Sequence, residues 1–104
     1  MDEAAIKKLE EKKVFFLGEV CSIVMGQYRN GRLAIKLITK YEEPMGTSTL
    51  NIPEEPLNED EVFIRDSEEN EGMVKALLDA GVITEIIGYA QSGFIKVPKC
   101  KLAL

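Results

Sequence analysis

The dipeptide Asn30-Gly31 constrains this 104-residue chain more than any other local feature. Asn and Gly tolerate the positive φ that both central positions of a type I′ turn require, and that turn joins antiparallel strands through two residues. The flanks agree. Ahead of the turn, Phe15, Phe16, Val20, Ile23 and Val24 supply the aromatic and β-branched residues of a strand. Beyond it, Leu33, Ile35 and Leu37 alternate with Arg32, Ala34 and Lys36. That is the period of a strand with one covered face. A hairpin here commits the chain to an antiparallel sheet.

The other segments are fitted around it. Glu42-Glu43-Pro44-Met45-Gly46 reads as a turn and Thr47–Ile52 as the next strand, which Pro53 ends. Val62-Phe63-Ile64 is a short strand. Met73, Val74, Leu77 and Leu78 share one helical face, so a helix is expected over residues 69–80. Asp66, Ser67 and Asn70 are competent N-caps for it, and Gly81 suits an αL C-cap. Val82–Tyr89 and Phe94–Leu102 are further β runs, with Gln91-Ser92-Gly93 between them. Residues 2–13 read as an amphipathic helix, capped by Asp2, with a stripe of Ala5, Ile6 and Leu9. The expected fold class is α+β, as one domain over 1–104. It has a mainly antiparallel sheet of five or six strands, one packed helix (69–80) and an N-terminal helix as an appendage.

Composition removes several chemistries. The chain has no His, the commonest general base and transition-metal ligand. Ser-His-Asp, Cys-His and His-ligated zinc sites are therefore impossible within one chain. Cys21 and Cys100 form no C-x-x-C motif and are expected as free, buried thiols. No apolar run is long enough to span a bilayer, and the N-terminus lacks a signal-peptide core. The expectation is a cytoplasmic protein without cofactor, metal or membrane contact.

The charge is localised. Nine carboxylates and one cation, Arg65, lie between Glu54 and Glu71, giving −8; with −5 overall, the remainder of the chain carries +3. Such a stretch argues against direct nucleic-acid binding there and favours a basic protein surface as partner. The plain account is that Asp66, Glu68, Glu69 and Glu71 start a helix, whose N-terminal dipoles favour acids, while the others keep a loop solvated. Calcium fits poorly. Asp66-x-Glu68-x-Asn70 imitates the start of an EF-hand loop, but Glu71 and Leu77 stand where Gly and Glu are required. The functional account is recognition of a basic partner, with Glu54, Glu55, Glu59, Asp60, Glu61, Glu68 and Glu69 as candidate contacts. Tyr28 and Arg29, beside the Asn-Gly turn, are exposed candidates for a second contact.

Several of these stretches form an ordered series. They are Asn30-Gly31-Arg32-Leu33-Ala34-Ile35, Glu43-Pro44-Met45-Gly46-Thr47-Ser48-Thr49-Leu50-Asn51-Ile52-Pro53, Val62-Phe63-Ile64-Arg65-Asp66, Ser92-Gly93-Phe94 and Val97-Pro98. Over residues 20–102 the series resembles a small α+β family of unknown function carried by bacterial genomes, phages and conjugative elements. The acidic run at 67–72 and the N-terminal helix depart from that pattern. The resemblance transfers no catalytic residue and implies an accessory protein of mobile DNA.

The leading expectation is a non-enzymatic protein that binds a basic host or element protein through its acidic face. By analogy of size and charge, the partner is a nucleic-acid-targeting defence nuclease, inhibited in the anti-CRISPR or anti-restriction manner. Two other readings are an interaction module or homodimer using a sheet edge or the hairpin tip, and a small carboxylate- or thiol-dependent enzyme using Cys21.

Overall fold

The computed structural model describes residues 3–104, so the proposed Asp2 cap lies outside it. The first helix, α1 (Glu3–Glu10), is shorter than expected and buries Leu9. Strands β1 (Lys13–Phe16), β2 (Glu19–Gln27), β3 (Leu33–Thr39) and β4 (Pro44–Thr47) form a four-stranded antiparallel sheet in sequence order. Strands β5 (Glu61–Phe63), β6 (Ile83–Ser92) and β7 (Ile95–Leu102) form a second antiparallel sheet, in the order β5-β7-β6. Between β5 and β6 lie a 3-10 turn, Glu68–Asn70, and the helix α2 (Met73–Asp79). The fold is α+β as expected, but with two sheets in place of one sheet of five or six strands.

A short seam joins the sheets. Ser48 N–H donates to the Ile35 carbonyl at 2.8 Å, and Leu50 N–H to the Phe63 carbonyl at 2.9 Å. Arg65 N–H returns to the Ser48 carbonyl at 2.8 Å, and Thr49 pairs with Ile64 in an antiparallel bridge. Both sheets therefore contribute to one main core. Val14, Cys21, Ile35 and Leu37 come from the first, and Val62, Ile83, Cys100 and Leu102 from the second. The helix α2 packs against β1 and β6, an end strand of each sheet, and adds Met73, Val74, Ala76 and Leu77. A smaller cluster, Ile52, Phe63, Ala90 and Val97, lies outside the main core, with Leu50 and Leu57 packed on it.

The turns depart from the sequence reading in an instructive way. The Asn-Gly hairpin is present, but its loop has three residues. Tyr28 N–H donates to the Arg32 carbonyl at 2.8 Å, Gly31 N–H to the Tyr28 carbonyl at 2.9 Å, and of the two only Gly31 has positive φ. This is the loop in which one αL residue follows a tight turn. Asn30 serves otherwise: its Oδ1 accepts Arg32 N–H at 3.2 Å and its Nδ2 donates to Asn51 Oδ1 at 3.1 Å. The β3–β4 loop repeats the form with Glu42 in the αL position at φ 63°. The two-residue turn with both φ positive is elsewhere, at Leu17-Gly18, and it splits the expected first strand into β1 and β2.

Strand β4 begins at Pro44, inside the predicted turn, and ends at Thr47, where the predicted strand began. Pro44 is tolerated because β4 is the edge of its sheet. Beyond it, side chains continue the pairing: Ser48 Oγ donates to the Ile35 carbonyl at 2.9 Å, and Thr49 Oγ1 accepts Ile35 N–H at 3.1 Å. The helix expected over 69–80 starts only at Met73, because Gly72 sits at φ 93°. Its other end is as read. Gly81 adopts φ 73°, its N–H reaches the Leu78 carbonyl at 3.0 Å, and Val82 N–H reaches the Leu77 carbonyl at 2.9 Å. This is a Schellman motif, and Val82 and Leu77 are both fully buried.

Candidate functional site

The acidic loop and the hairpin tip, separate in sequence, meet in space. The agent is Arg32, which the sequence did not single out. Its Nη1 donates to the Ile52 carbonyl at 2.7 Å and its Nη2 to the Glu55 carbonyl at 2.6 Å. A planar guanidinium can hold two acceptors at once, and charge makes such bonds strong. The fork fixes the backbone where the acidic loop leaves the seam. Tyr28 supports the same join. Its hydroxyl donates to the Thr49 carbonyl at 3.2 Å and lies 3.0 Å from Thr49 Oγ1. Tyr28 is thus a half-buried brace and not exposed as expected, because reaching across to Thr49 lays the ring against the protein. Arg29 is exposed at the tip.

Between tip and loop lies a cleft of about 320 Å³, walled by Gln27, Asn30 and Arg32 on one side and Leu57, Asn58 and Glu59 on the other. Ile6 of α1 lines it too. The volume is at the low end for a small-molecule site, about 300 Å³.

The acids divide by role. Glu54 and Glu59 are exposed, and Glu55 is half-buried with its carbonyl held by Arg32. Asp60 faces Lys101 Nζ at 3.6 Å. The Glu61 carboxylate accepts Asn58 N–H at 2.9 Å and Asn58 Nδ2–H at 3.1 Å, closing a local turn. Asp66 Oδ1 accepts Gly72 N–H at 2.6 Å and Met73 N–H at 3.2 Å, so it caps α2 from six residues away. Glu68 and Glu69 share Arg65, at 3.8 and 3.6 Å, with largely exposed side chains. Asn70 is buried and donates to the Thr47 carbonyl at 3.0 Å. The remaining exposed carboxylate is Glu71.

Neither cysteine is set up as a nucleophile. Cys21 is buried in β2, and its thiol lies 3.7 Å from the Glu19 carbonyl. Burial, and then the nearby Glu19 charge, push its pKa upward. Cys100 is buried in β7 and pushed up to about 11, mainly by burial and secondarily by Asp66. Nucleophilic thiols need the opposite shift. Both are free. Among the described residues, no cluster of three His, Cys, Asp or Glu side chains could hold a metal ion, and no helix is long and apolar enough to cross a membrane.

Compared with protein-family models, curated proteins and solved structures, the chain matches none.

Proposed function

We propose that the chain is a non-enzymatic binding module that presents the acids of 54–71 to a basic protein surface. The observation that supports this reading is the Arg32 fork. It pins the loop backbone at Ile52 and Glu55 while Glu54 and Glu59 keep their side chains at the surface. A contact surface fixed before binding has less ordering entropy to lose on association. Glu68 and Glu69 add exposed carboxylates on the 3-10 turn, paired with Arg65. Asp60, Glu61 and Asp66 belong to its scaffold.

The partner is a protein whose cationic surface otherwise holds nucleic acid, such as a defence nuclease, and the mechanism is electrostatic and steric competition. Charge complementarity of this kind speeds encounter and excludes like-charged competitors. Association then weakens steeply with salt.

The test is capture from host lysate by two immobilised proteins, wild type and a variant with Glu54, Glu55, Glu59, Glu68 and Glu69 changed to Gln. Asp60, Glu61 and Asp66 stay in place so that the loop and α2 keep their geometry. Recovery of a basic nucleic-acid-binding protein by the wild type alone is the expected result, and equal recovery by both sinks the reading.

A further inference from the structure

The first sheet has an open edge with a groove beside it. At the Leu17-Gly18 turn, Phe16 and Glu19 form the closing pair. In a two-residue hairpin that pair is hydrogen-bonded, so the next pair, Phe15 and Val20, is not. The N–H and C=O of Phe15 therefore point away from β2, on the side of β1 where the sheet ends. The helix α2 contacts β1, and residues 71–79 face Phe15–Leu17 across a gap. The space between them is a shallow groove of about 210 Å³. Phe16 and Ala76 give it an apolar floor, Phe15 and Leu17 one wall, and Glu71 and Lys75 the other.

Two further observations mark this edge. Phe15 and Leu17 are 66% and 65% exposed, a large apolar area to leave in water beside the outer edge of an end strand. Leu17 also holds φ 51°, a conformation that costs a residue with a Cβ ~1–2 kcal/mol and that Asn or Gly would adopt freely. A Leu at that position carries strain while leaving most of its side chain in water. The charges of the groove are unbalanced: Lys75 is answered by Asp79 at 2.8 Å, which leaves Glu71 in excess.

We infer that the groove between β1 and α2 docks an extended segment of a protein partner, with alternating apolar and basic residues, which adds to β1 as a further strand. The main chain of the segment bonds to Phe15, as in other cases of strand addition to a sheet edge. Its apolar side chains lie on the face of Phe15 and Leu17, and its basic side chains lie on the opposite face, toward Glu71. The groove is smaller than the ~300 Å³ at the low end of small-molecule sites, and an extended chain gains affinity from backbone bonds without needing a deep pocket. This inference stands on the edge and the groove and does not rest on the acidic loop.

The probe is a blocked heptapeptide of alternating Lys and Val, titrated into the isotope-labelled protein, with an alternating Glu and Val peptide as control. Saturable amide shifts are expected at residues 13–17 and 71–79, with at least tenfold slower hydrogen exchange at Phe15. Leu17→Asn keeps the turn, since Asn accepts positive φ, and should weaken binding at least threefold; Glu71→Gln should do the same. Absence of saturable shifts at those residues overturns the inference, as does equal binding of the Glu-Val control. The same shifts on concentrating the protein without peptide also overturn it, by naming a second copy as the occupant. Shifts confined to residues 54–59 refute the groove and leave the acidic-loop reading intact. Groove shifts that persist when Glu54, Glu55 and Glu59 are changed to Gln support the groove whatever the lysate experiment returns.

Discussion

At the scale of single residues, neighbouring acids with the same formal charge do different work. Asp66 holds two N–H groups at the start of α2, which no other side chain among the described residues serves. Asp66→Ala should cost ~1–2 kcal/mol, the usual loss of a helix cap. Glu68→Gln and Glu69→Gln, each removing one exposed pair with Arg65, should each stay within ~0.5 kcal/mol of wild type. Chemical denaturation of the three variants makes the comparison. Glu42 offers the opposite sign. It occupies at φ 63° the position that Gly31 fills in the matching loop. Glu42→Asn should raise stability by ~1 kcal/mol, the order of the strain that αL imposes on a residue unable to use it, seen as a higher melting temperature.

At the scale of elements, the clearest dependence is that of the acidic loop on a hairpin far from it in sequence. Arg32→Ala removes both bonds to the loop and should cost ~2–3 kcal/mol, as charge-assisted bonds do. Hydrogen exchange should accelerate at residues 53–59 and little elsewhere. Arg32→Lys should recover only part of this, because an ammonium cannot form the fork. The same example explains what was legible in the sequence. Local signals are legible: the inward Ile35 and Leu37, the strand at Val62 and Phe63, the packed Met73, Val74 and Leu77 of α2, and the Gly81 terminus, whereas Ala34, expected on the polar face, is buried and Leu78, expected on the packed face, is exposed. Each depends on residues within one turn or one strand. The partners of Arg32 lie 20 and 23 residues away, and those of Tyr28 lie 21 away, so no local pattern marks either side chain. The Leu17-Gly18 turn is illegible for another reason. Leu at positive φ contradicts the turn chemistry by which such positions are recognised. The division into two sheets was also illegible, because alternation shows which face of a strand is buried and not which strand lies beside it.

At the scale of the whole molecule, both thiols serve a dry interior shared by the two sheets. Cys100 has its pKa raised from 9.0 to about 11, so the fold favours the neutral thiol. Its contribution is intact below pH 9 and is lost as the pH rises through about 11. The stability gap between wild type and Cys100→Ala should therefore narrow between those values, as measured by denaturant unfolding. A chromogenic disulfide reagent at neutral pH should leave Cys21 and Cys100 unmodified until denaturant is added. The seam at Ser48–Leu50 has a consequence in time. The first sheet joins consecutive strands, whereas β5 must find β7 with Val62 opposite Cys100. Closing so long a stretch of chain is the slow part of folding for such a topology. The locally assembled first sheet then docks on the second, and the hydroxyl of Thr49, bonded to Ile35 and Tyr28, lies where they meet. Thr49→Val should slow refolding in stopped-flow experiments while leaving the unfolding rate nearly unchanged. The residues that join the two sheets would then set the pace of folding as well as hold the finished fold.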